Sequence, residues 1–410
     1  MKFMAKMLSL MLAFSMLPLA GCSAGVDSAT SSTASFKKPT SSVAASKADS
    51  ETETESKSVI PAVNDYSKQT YKVTDIIDNL KIAGRYVETN SGEAGGYAKS
   101  IVFDHTGAML SFNADCEGDV SVDMTIETQT DEGMINKYFL VVVDGVEQRV
   151  MVSGKMGTTI KVTLPVATGL KRGKHNFEIY RQFQLGHGMC NLLSITMNGV
   201  PTERPKDKDL YIEVFGDSIT AGSGNLTRNG DTEFAMYPEK SSSTDSYGFL
   251  AAKALNADVS IIAQGGLAYT WGIGERDIYH FWNKTSFRRH DLGDYKAERQ
   301  PDVVVINLGT NDGGYKNKGY TEAQLTEAAV KLLTQVRKDR PNAKIVWFYG
   351  MMGNELNTQI KAAVEQVGGT GSGFYYCEGQ KGQSGGGGHP SKDEHKANAD
   401  ILANFIRGII

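Results

Sequence analysis

The second half of the chain alternates short apolar runs with amphipathic stretches. The apolar runs cover residues 210–215, 259–263, 303–308, 345–349 and, more briefly, 374–377. Residues 321–339 place Leu, Ala and Val at the spacing of one helix face. Near-continuous apolar strands that alternate with helices predict a parallel sheet covered by helices on both faces.

The first half has a different pattern. Its β-branched or alternating runs cover residues 138–143, 158–166, 174–182 and 192–198, and Gly-containing turns separate them. No long helical stripe interrupts these runs, so they predict an antiparallel sandwich of jelly-roll type. A charged, proline-containing segment at 202–209 marks the boundary. We predict a β-sandwich domain at residues 66–204 and an α/β domain at residues 205–410.

The N-terminal segment predicts export. Lys2 and Lys6 precede an apolar stretch at 7–17 that is too short to span a bilayer. The sequence LAGC at 19–22 resembles the lipobox of bacterial lipoproteins. That resemblance implies a signal peptide at residues 1–22, a lipid on the sulfur of Cys22 and anchoring to the outer face of the bacterial cell membrane, or to the outer membrane or periplasm. A plain signal peptide with a chance cysteine is the alternative.

Residues 23–65 are rich in Ser, Thr, Ala, Lys and Glu and nearly free of large apolar side chains. Such a segment cannot bury enough surface to fold, so we predict a disordered tether.

Composition argues against several classes of function. The net charge of −4, without a basic patch, argues against nucleic-acid binding. The sequence contains no metal-ligand spacing, phosphate loop or dinucleotide fingerprint, so we predict no metal and no cofactor. Beyond Cys22, the cysteines are Cys116, Cys190 and Cys377. Cys116 and Cys190 could pair, or all three could be buried thiols, and we favour the second alternative.

Three short blocks carry the candidate chemistry. They are residues 216–220 (GDSIT), 309–312 (GTND) and 388–391 (GHPS). Two of them follow predicted strands and the third precedes the last helix, which the sequence SKDE at 391–394 would cap. Sites in parallel sheets form at the carboxyl ends of the strands. Ser218 is therefore a candidate nucleophile and His389 a candidate general base, although Ser218 could instead cap a helix and His389 could be an ordinary loop histidine.

Oxyanion donors are expected at the same edge of the sheet. Ser218 would open a helix, which leaves its backbone N–H unpaired. Gly265 and Gly266 follow the second strand, where glycine permits close approach of the backbone to a ligand. We favour the Gly265 N–H over that of Gly266, although the pair could also form only a tight turn. The side-chain amide of Asn311 is the third candidate, with an Asx-turn as its alternative.

Together these blocks resemble the SGNH hydrolase superfamily, also called GDSL-type esterases, over about residues 208–410. The resemblance implies Ser218 as nucleophile, His389 as base, and an oxyanion hole made of the Ser218 N–H, the Gly265 N–H and Asn311. The implied fold is a flavodoxin-like three-layer α/β/α domain.

A closer resemblance is to carbohydrate esterase family 2, whose members carry a small jelly-roll domain ahead of the SGNH domain. The features that look alike lie at residues 143–145, 173–175, 181, 245–248, 307–312 and 349–352. This resemblance covers about residues 66–410. It implies an esterase of the acetyl xylan esterase type, which removes acetyl groups from plant cell-wall sugars.

The acid that usually stands three residues before the histidine is absent, because that position is Gly386. The resemblance implies that a backbone carbonyl orients the histidine instead, and Glu378 or Asp393 is the alternative acid.

Trp271, Trp282 and Tyr315 would stack on a sugar ring, or serve only as core residues. The competing functions are another acylhydrolase of the same fold, such as a lipase or thioesterase, and a non-catalytic carbohydrate-binding lipoprotein.

Overall fold

The computed structural model describes residues 60–61, 63–89, 100–128, 135–231, 237–270, 277–286, 289–297, 299–313 and 319–410. The signal peptide, Cys22 and nearly all of the predicted tether lie outside the described residues, as do Trp271 and Tyr315. The described part of the chain belongs to one compact unit that begins at Ser56.

Within the described residues, the first half forms a sheet of nine strands that pair in antiparallel fashion. The strands are β1 (Lys68–Lys72), β2 (Leu80–Ala83), β3 (Val87–Thr89), β4 (Ser100–Val102), β5 (Met109–Glu127), β6 (Asn136–Val143), β7 (Val146–Ser153), β8 (Thr159–Arg181) and β9 (Cys190–Pro201). Their order is β3-β4-β9-β5-β8-β6-β7, with β1 paired to β9 and β2 paired to β5. The prediction of an antiparallel first half is confirmed. Asp144 and Gly145 turn the β6–β7 hairpin with φ of 50° and 82°, as a two-residue hairpin loop requires.

The sequence predicted a turn between the strand-like runs at 158–166 and 174–182, and this prediction is wrong. The runs at 158–166 and 174–182 are parts of the single strand β8, which pairs with β5 along its length. Gly169 has a φ of 63°, but the ladder continues through register shifts between Cys116 and Ser121 on β5. Bulges of this kind bend a strand without ending it.

The second half forms a sheet of five parallel strands within the described residues. The strands are β10 (Tyr211–Gly216), β11 (Asp258–Ala263), β12 (Val303–Asn307), β13 (Lys344–Tyr349) and β14 (Phe374–Glu378). The helices are α1 (Tyr247–Ala254), α2 (Thr310–Gly313), α3 (Glu322–Asp339), α4 (Asn357–Gln366) and α5 (Lys392–Arg407). The strand order is β11-β10-β12-β13-β14, and all five predicted strands are confirmed to within a residue or two.

Helices cover both faces of the parallel sheet. Side chains of α3 and α4 pack in one core cluster with β12 and β13, and side chains of α1 and α5 pack in a second cluster on the other face. Burial on both faces explains why the strands are almost continuously apolar. The capping box predicted for α5 is present, because Ser391 and Glu394 each accept from the other's backbone N–H.

A buried ion cluster joins the two sheets. Arg85, between β2 and β3, donates to Glu213 Oε1 on β10 at 3.2 Å. Arg340 donates through Nε to the other oxygen of Glu213 at 2.8 Å. All three side chains are buried, so this carboxylate is shared by two guanidinium groups away from water.

Cys116, Cys190 and Cys377 are free and buried. In the part of the chain that the structure describes, no helix is long and apolar enough to cross a membrane.

Candidate active site

Ser218 and His389 meet at the carboxyl edge of the parallel sheet. Ser218 follows β10, and His389 lies on the loop that leads into α5. The Ser218 Oγ is 2.8 Å from Nε2 of His389, which is hydrogen-bond distance for proton transfer between a nucleophile and a base. The Ser218 side chain is largely sheltered, with 8% of the residue's surface exposed.

The prediction of a helix that begins at Ser218 is wrong. Residues 218–226 form consecutive turns instead. Gly222 and Gly224 take φ of 70° and 66°, in the left-handed region that interrupts a right-handed helix. The Ser218 N–H nevertheless has no hydrogen-bond partner among the described residues, so it remains available to an oxyanion.

A backbone carbonyl faces the other ring nitrogen of His389. Nδ1 lies 3.3 Å from the carbonyl oxygen of Gly386, the residue that stands at the position of the missing acid. Within the described residues, no carboxylate is within hydrogen-bond distance of this nitrogen. The Glu378 carboxylate accepts instead from Asn357 and Lys361. The geometry therefore agrees with a Ser–His dyad oriented by a carbonyl.

The glycine run before His389 lets this carbonyl approach. The Gly386 N–H donates to the carbonyl of Gly224 at 2.9 Å. A Cβ on Gly224 would lie 2.5 Å from the Gly386 oxygen, so only glycine fits there without movement. Gly387 and Gly388 adopt φ of 61° and 76°, which returns the chain towards His389.

Burial lowers the pKa of His389 below its ordinary value, and the hydrogen bond to Gly386 opposes this shift only in part. The imidazole is therefore neutral near pH 7. A neutral ring whose Nδ1–H points at a carbonyl has its lone pair on Nε2, which is the nitrogen that faces Ser218.

The predicted oxyanion donor at Gly265 is already engaged. Its N–H donates to the side-chain oxygen of Gln184 at 2.8 Å. Gly266 is the next residue, with a φ of 83°, and its N–H has no partner among the described residues. Of the two N–H groups, that of Gly266 is therefore the one that the described residues leave open to an oxyanion, because the Gly265 N–H is held by a neutral acceptor.

The side chain of Asn311 is fixed by two acceptors. Its Nδ2 donates to the carbonyl of Leu267 at 2.8 Å and to Oδ2 of Asp217 at 3.2 Å. These two contacts place the amide nitrogen between the strand ends that also carry Ser218 and Gly266. The longer bond, to Asp217, is the one that an oxyanion would replace at lower cost.

Two buried carboxyl groups lie behind this amide. Burial raises the pKa of Asp217 to about 7, and the nearby Asp312 carboxylate adds to the rise. Burial raises the pKa of Asp312 to about 6, although it accepts from the backbone N–H groups of Tyr269 and Thr270. Like charges this close oppose joint ionisation, so the pair carries fewer than two negative charges near neutral pH. Nothing in the local sequence distinguishes these two buried carboxyl groups from ordinary cap or turn residues.

Of the three candidate aromatic residues, only Trp282 is described. It is 3% exposed and stacks on Phe215 with ring centroids 4.0 Å apart. Its indole N–H donates to Asp339 at 2.5 Å. These contacts correct the substrate-lining assignment of Trp282, because the ring is buried against Phe215 and its polar edge is bonded to Asp339.

Among the described residues, no cluster of three or more His, Cys, Asp or Glu side chains is arranged to hold a metal ion.

Residues 214–392 match the model of the GDSL-like Lipase/Acylhydrolase family. A cellulase/esterase of Acetivibrio thermocellus is 30% identical over 197 residues, which is 46% of this chain but only 23% of that protein. An acetylxylan esterase / glucomannan deacetylase of Cellvibrio japonicus is 28% identical over 252 residues, 58% of this chain and 68% of that protein. These matches support the prediction of a carboxylic ester hydrolase.

Solved structures show the same fold over a longer part of the chain. An acetyl xylan esterase from the rumen bacterium Butyrivibrio proteoclasticus has a TM-score of 0.71 at 22% identity, covering 83% of this chain and 98% of that one. A family two carbohydrate esterase from Clostridium thermocellum in complex with cellohexaose has a TM-score of 0.68 at 24% identity, covering 80% and 98%. Both similarities include the antiparallel and the parallel sheet, since neither sheet alone spans that share of the chain.

Proposed function

We propose that this protein is a serine esterase that removes acetyl groups from polysaccharides or oligosaccharides of the xylan or glucomannan type. The observation that carries the proposal is the 2.8 Å contact between Ser218 Oγ and His389 Nε2 inside a GDSL-like domain. The acetylated-carbohydrate substrate is proposed from the relatives, two of which are acetylxylan esterases / glucomannan deacetylases.

The reaction follows from the geometry in two halves. His389 Nε2 takes the Ser218 hydroxyl proton as Oγ attacks the acetyl carbonyl carbon, and the same nitrogen then gives that proton to the departing sugar oxygen. A water molecule, deprotonated by His389, then attacks the carbonyl carbon of the acetyl-serine. The bond from that carbon to Ser218 Oγ breaks, His389 returns the proton to Oγ, and acetate leaves. In both tetrahedral intermediates the N–H groups of Ser218 and Gly266 and the amide of Asn311 would donate to the negative oxygen.

The Gly386 carbonyl would perform most of the work that an acid performs elsewhere. It accepts from Nδ1–H and so fixes the ring orientation and the tautomer of His389. A carbonyl dipole stabilises the transient imidazolium less than a carboxylate does, but it also leaves the site without an extra negative charge beside the forming oxyanion.

We also propose a domain assignment for the two halves of the chain. We assign the first half to a jelly-roll domain at residues 66–204 and the second to a three-layer SGNH domain at residues 205–410. The strand order of the parallel sheet, second-first-third-fourth-fifth along the chain, supports the flavodoxin-like assignment.

The deciding experiment measures acetate release from acetylated xylan and glucomannan by the wild type and by Ser218→Ala. We expect release that depends on Ser218, and equal release by the two proteins would reject the proposal. A series of 4-nitrophenyl esters of increasing chain length separates an acetylesterase from a general acylhydrolase, because the latter prefers long chains.

A carbohydrate-binding role is the second candidate, since a structurally similar esterase was solved with cellohexaose bound. Affinity electrophoresis in gels with and without xylan or cellulose tests it. Retardation of both the wild type and Ser218→Ala, together with no acetate release by either, would favour binding over catalysis.

We also propose that Cys22 carries a lipid that anchors the protein to the outer face of the cell membrane, with residues 23–65 as the tether. Membrane fractions of a bacterial host expressing the full chain should contain the protein, and those expressing Cys22→Ser should not. Equal membrane retention of both would reject the anchor.

A further inference from the structure

Gln184, on the loop between β8 and β9, accepts a hydrogen bond from the turn that contains Gly265 and Gly266. β8 and β9 are joined by the residues 182–189, here called the β8–β9 loop, which reaches the end of β11 in the parallel sheet. The Gln184 side-chain oxygen accepts from the Gly265 N–H at 2.8 Å, and the Gln264 side-chain oxygen accepts from the Gly186 N–H at 2.5 Å. Each loop therefore offers a glutamine oxygen to a glycine N–H of the other.

This reciprocal pair acts on a single β-turn. Leu267 N–H donates to the Gln264 carbonyl at 3.2 Å, which closes a four-residue turn with Gly265 and Gly266 at its centre. Neither central N–H is used inside such a turn. Gln184 accepts from the first of them, which fixes the peptide plane between Gln264 and Gly265. The Gly266 N–H lies in the next peptide plane, so the bond restricts the part of the turn to which that plane is attached.

The orientation of the Gln184 amide is itself determined by its neighbours. The Gly265 N–H is a donor, so the oxygen of the amide must face it and the NH₂ group must face the other way. That NH₂ group lies 2.6 Å from Nε2 of His187, which must then present a lone pair. Burial beside the cations Lys137 and Arg181 lowers the pKa of His187 well below its ordinary value, which keeps the ring neutral, as this contact requires.

The β8–β9 loop is closely packed against the turn that follows β11. Gln184 is 5% exposed. A Cβ on Gly186 would lie 2.7 Å from the Gln264 side chain, so the loops are in direct backbone-to-side-chain contact. Lys137 donates to the His187 carbonyl and Arg181 donates to the Gly188 carbonyl, which ties the loop to the interior of the antiparallel half.

We propose that Gln184 is a positioning residue of the active site, and that the antiparallel half thereby completes the oxyanion hole of the parallel half. Gln184 does not touch the reacting atoms. It acts through Gly265 by holding the turn in which the Gly266 N–H points at the developing negative charge. This inference rests on the proposed esterase function for its kinetic consequence, but its structural part does not.

The matched pair of variants is Gln184→Met and Gln182→Met. Both remove a buried glutamine amide of similar shape from the same loop. The Gln182 amide donates to Thr244 and Ser242 of the parallel half instead of accepting from the oxyanion turn. Gln182→Met therefore measures the general effect of losing a buried hydrogen bond between the halves.

Two measurements are made on the full chain. The first is kcat and KM for 4-nitrophenyl acetate. A displaced donor costs about tenfold to a hundredfold in rate, so we expect Gln184→Met to lose that much kcat with KM within about twofold, and Gln182→Met to keep kcat within about twofold. The second is amide hydrogen exchange of the peptide containing residues 264–267, which should be faster in Gln184→Met and unchanged in Gln182→Met.

The outcomes separate this inference from the function on which it rests. Unchanged kcat and exchange in Gln184→Met, or equal losses in both variants, would overturn the positioning role. Absence of Ser218-dependent hydrolysis in the wild type would overturn the proposed function instead. The exchange comparison would then still decide whether Gln184 holds the turn.

Discussion

The carbonyl oxygen of Gly386 lies 3.3 Å from Nδ1 of His389, at the place where hydrolases of this kind usually hold a carboxylate. The alternative acids do not reach this nitrogen. We therefore expect Glu378→Gln and Asp393→Asn each to keep kcat/KM within about twofold of the wild type, because neither charge orients the base.

Steady-state kinetics on 4-nitrophenyl acetate, with Ser218→Ala as the inactive control, checks this. A loss of several orders of magnitude in either variant would replace the dyad with a triad.

The pH dependence of the rate should reflect a base of lowered pKa. Only the neutral form of His389 accepts the serine proton, so activity is present above its pKa and is lost as the pH falls through it. Because burial depresses that pKa, we expect half-maximal kcat/KM below the ordinary histidine value of 6.5.

The measurement is kcat/KM across pH 4 to 9 at constant ionic strength. A midpoint near 7 that disappears in Asp217→Asn would instead assign the limiting titration to Asp217, whose pKa burial raises to about 7.

Asn311 should matter for the transition state more than for binding. Its amide bridges Leu267 and Asp217 beside Ser218, and an oxyanion would take the place of the weaker of those acceptors. Removing one oxyanion donor typically costs a factor of about 10²–10³ in kcat, and we expect a loss of that size in Asn311→Ala with little change in KM. An increase in KM at unchanged kcat would assign the amide to substrate binding.

Local patterns in the sequence were sufficient to predict most of the parallel half. The five strands, the helix α3 and the capping box at Ser391 and Glu394 depend on neighbouring residues, so periodicity and cap chemistry locate them. The pairing of Ser218 with His389 was also predicted, because the carboxyl ends of parallel strands share one edge.

Predictions that depended on contacts between residues distant in sequence were less accurate. The prediction favoured Gly265 over Gly266 as a donor, although nothing in the local sequence separates the two. Gln184, 81 positions earlier in the chain, separates them, because it accepts from the Gly265 N–H. Trp282 was considered for the substrate site, but its stacking on Phe215 and its bond to Asp339 depend on segments distant in sequence. The prediction of a break within β8 was wrong because glycine permits a bulge as readily as a turn.

Removing the shared carboxylate charge of Glu213 should strongly destabilise the protein. Glu213→Gln leaves the buried guanidinium groups of Arg85 and Arg340 without their counter-charge, and losing one partner of a buried ion pair costs about 3–5 kcal/mol. Lys253→Gln is the control, because it breaks the exposed pair with Glu147, and we expect its effect to stay within about 1 kcal/mol. Urea unfolding of both variants decides the matter, and equal midpoints would contradict the importance of the cluster.

Gly224 tests whether the contact behind the base affects catalysis. A Cβ at this position would lie 2.5 Å from the Gly386 oxygen, so Gly224→Ala must push away the carbonyl that orients His389. Gly230→Ala is the matched control, because Gly230 also has a positive φ, of 105°, but a Cβ there meets nothing within 4 Å. Both variants carry a backbone strain of about 1–2 kcal/mol.

Only Gly224→Ala should also lose activity, by about tenfold or more in kcat, since a displaced carbonyl leaves the imidazole free to rotate away from Ser218. Thermal unfolding and kcat are measured on both proteins. If the two variants lose stability alike and both keep the wild-type kcat, the Gly386 carbonyl does not hold the base, and the orientation of His389 must come from the packing of its ring alone.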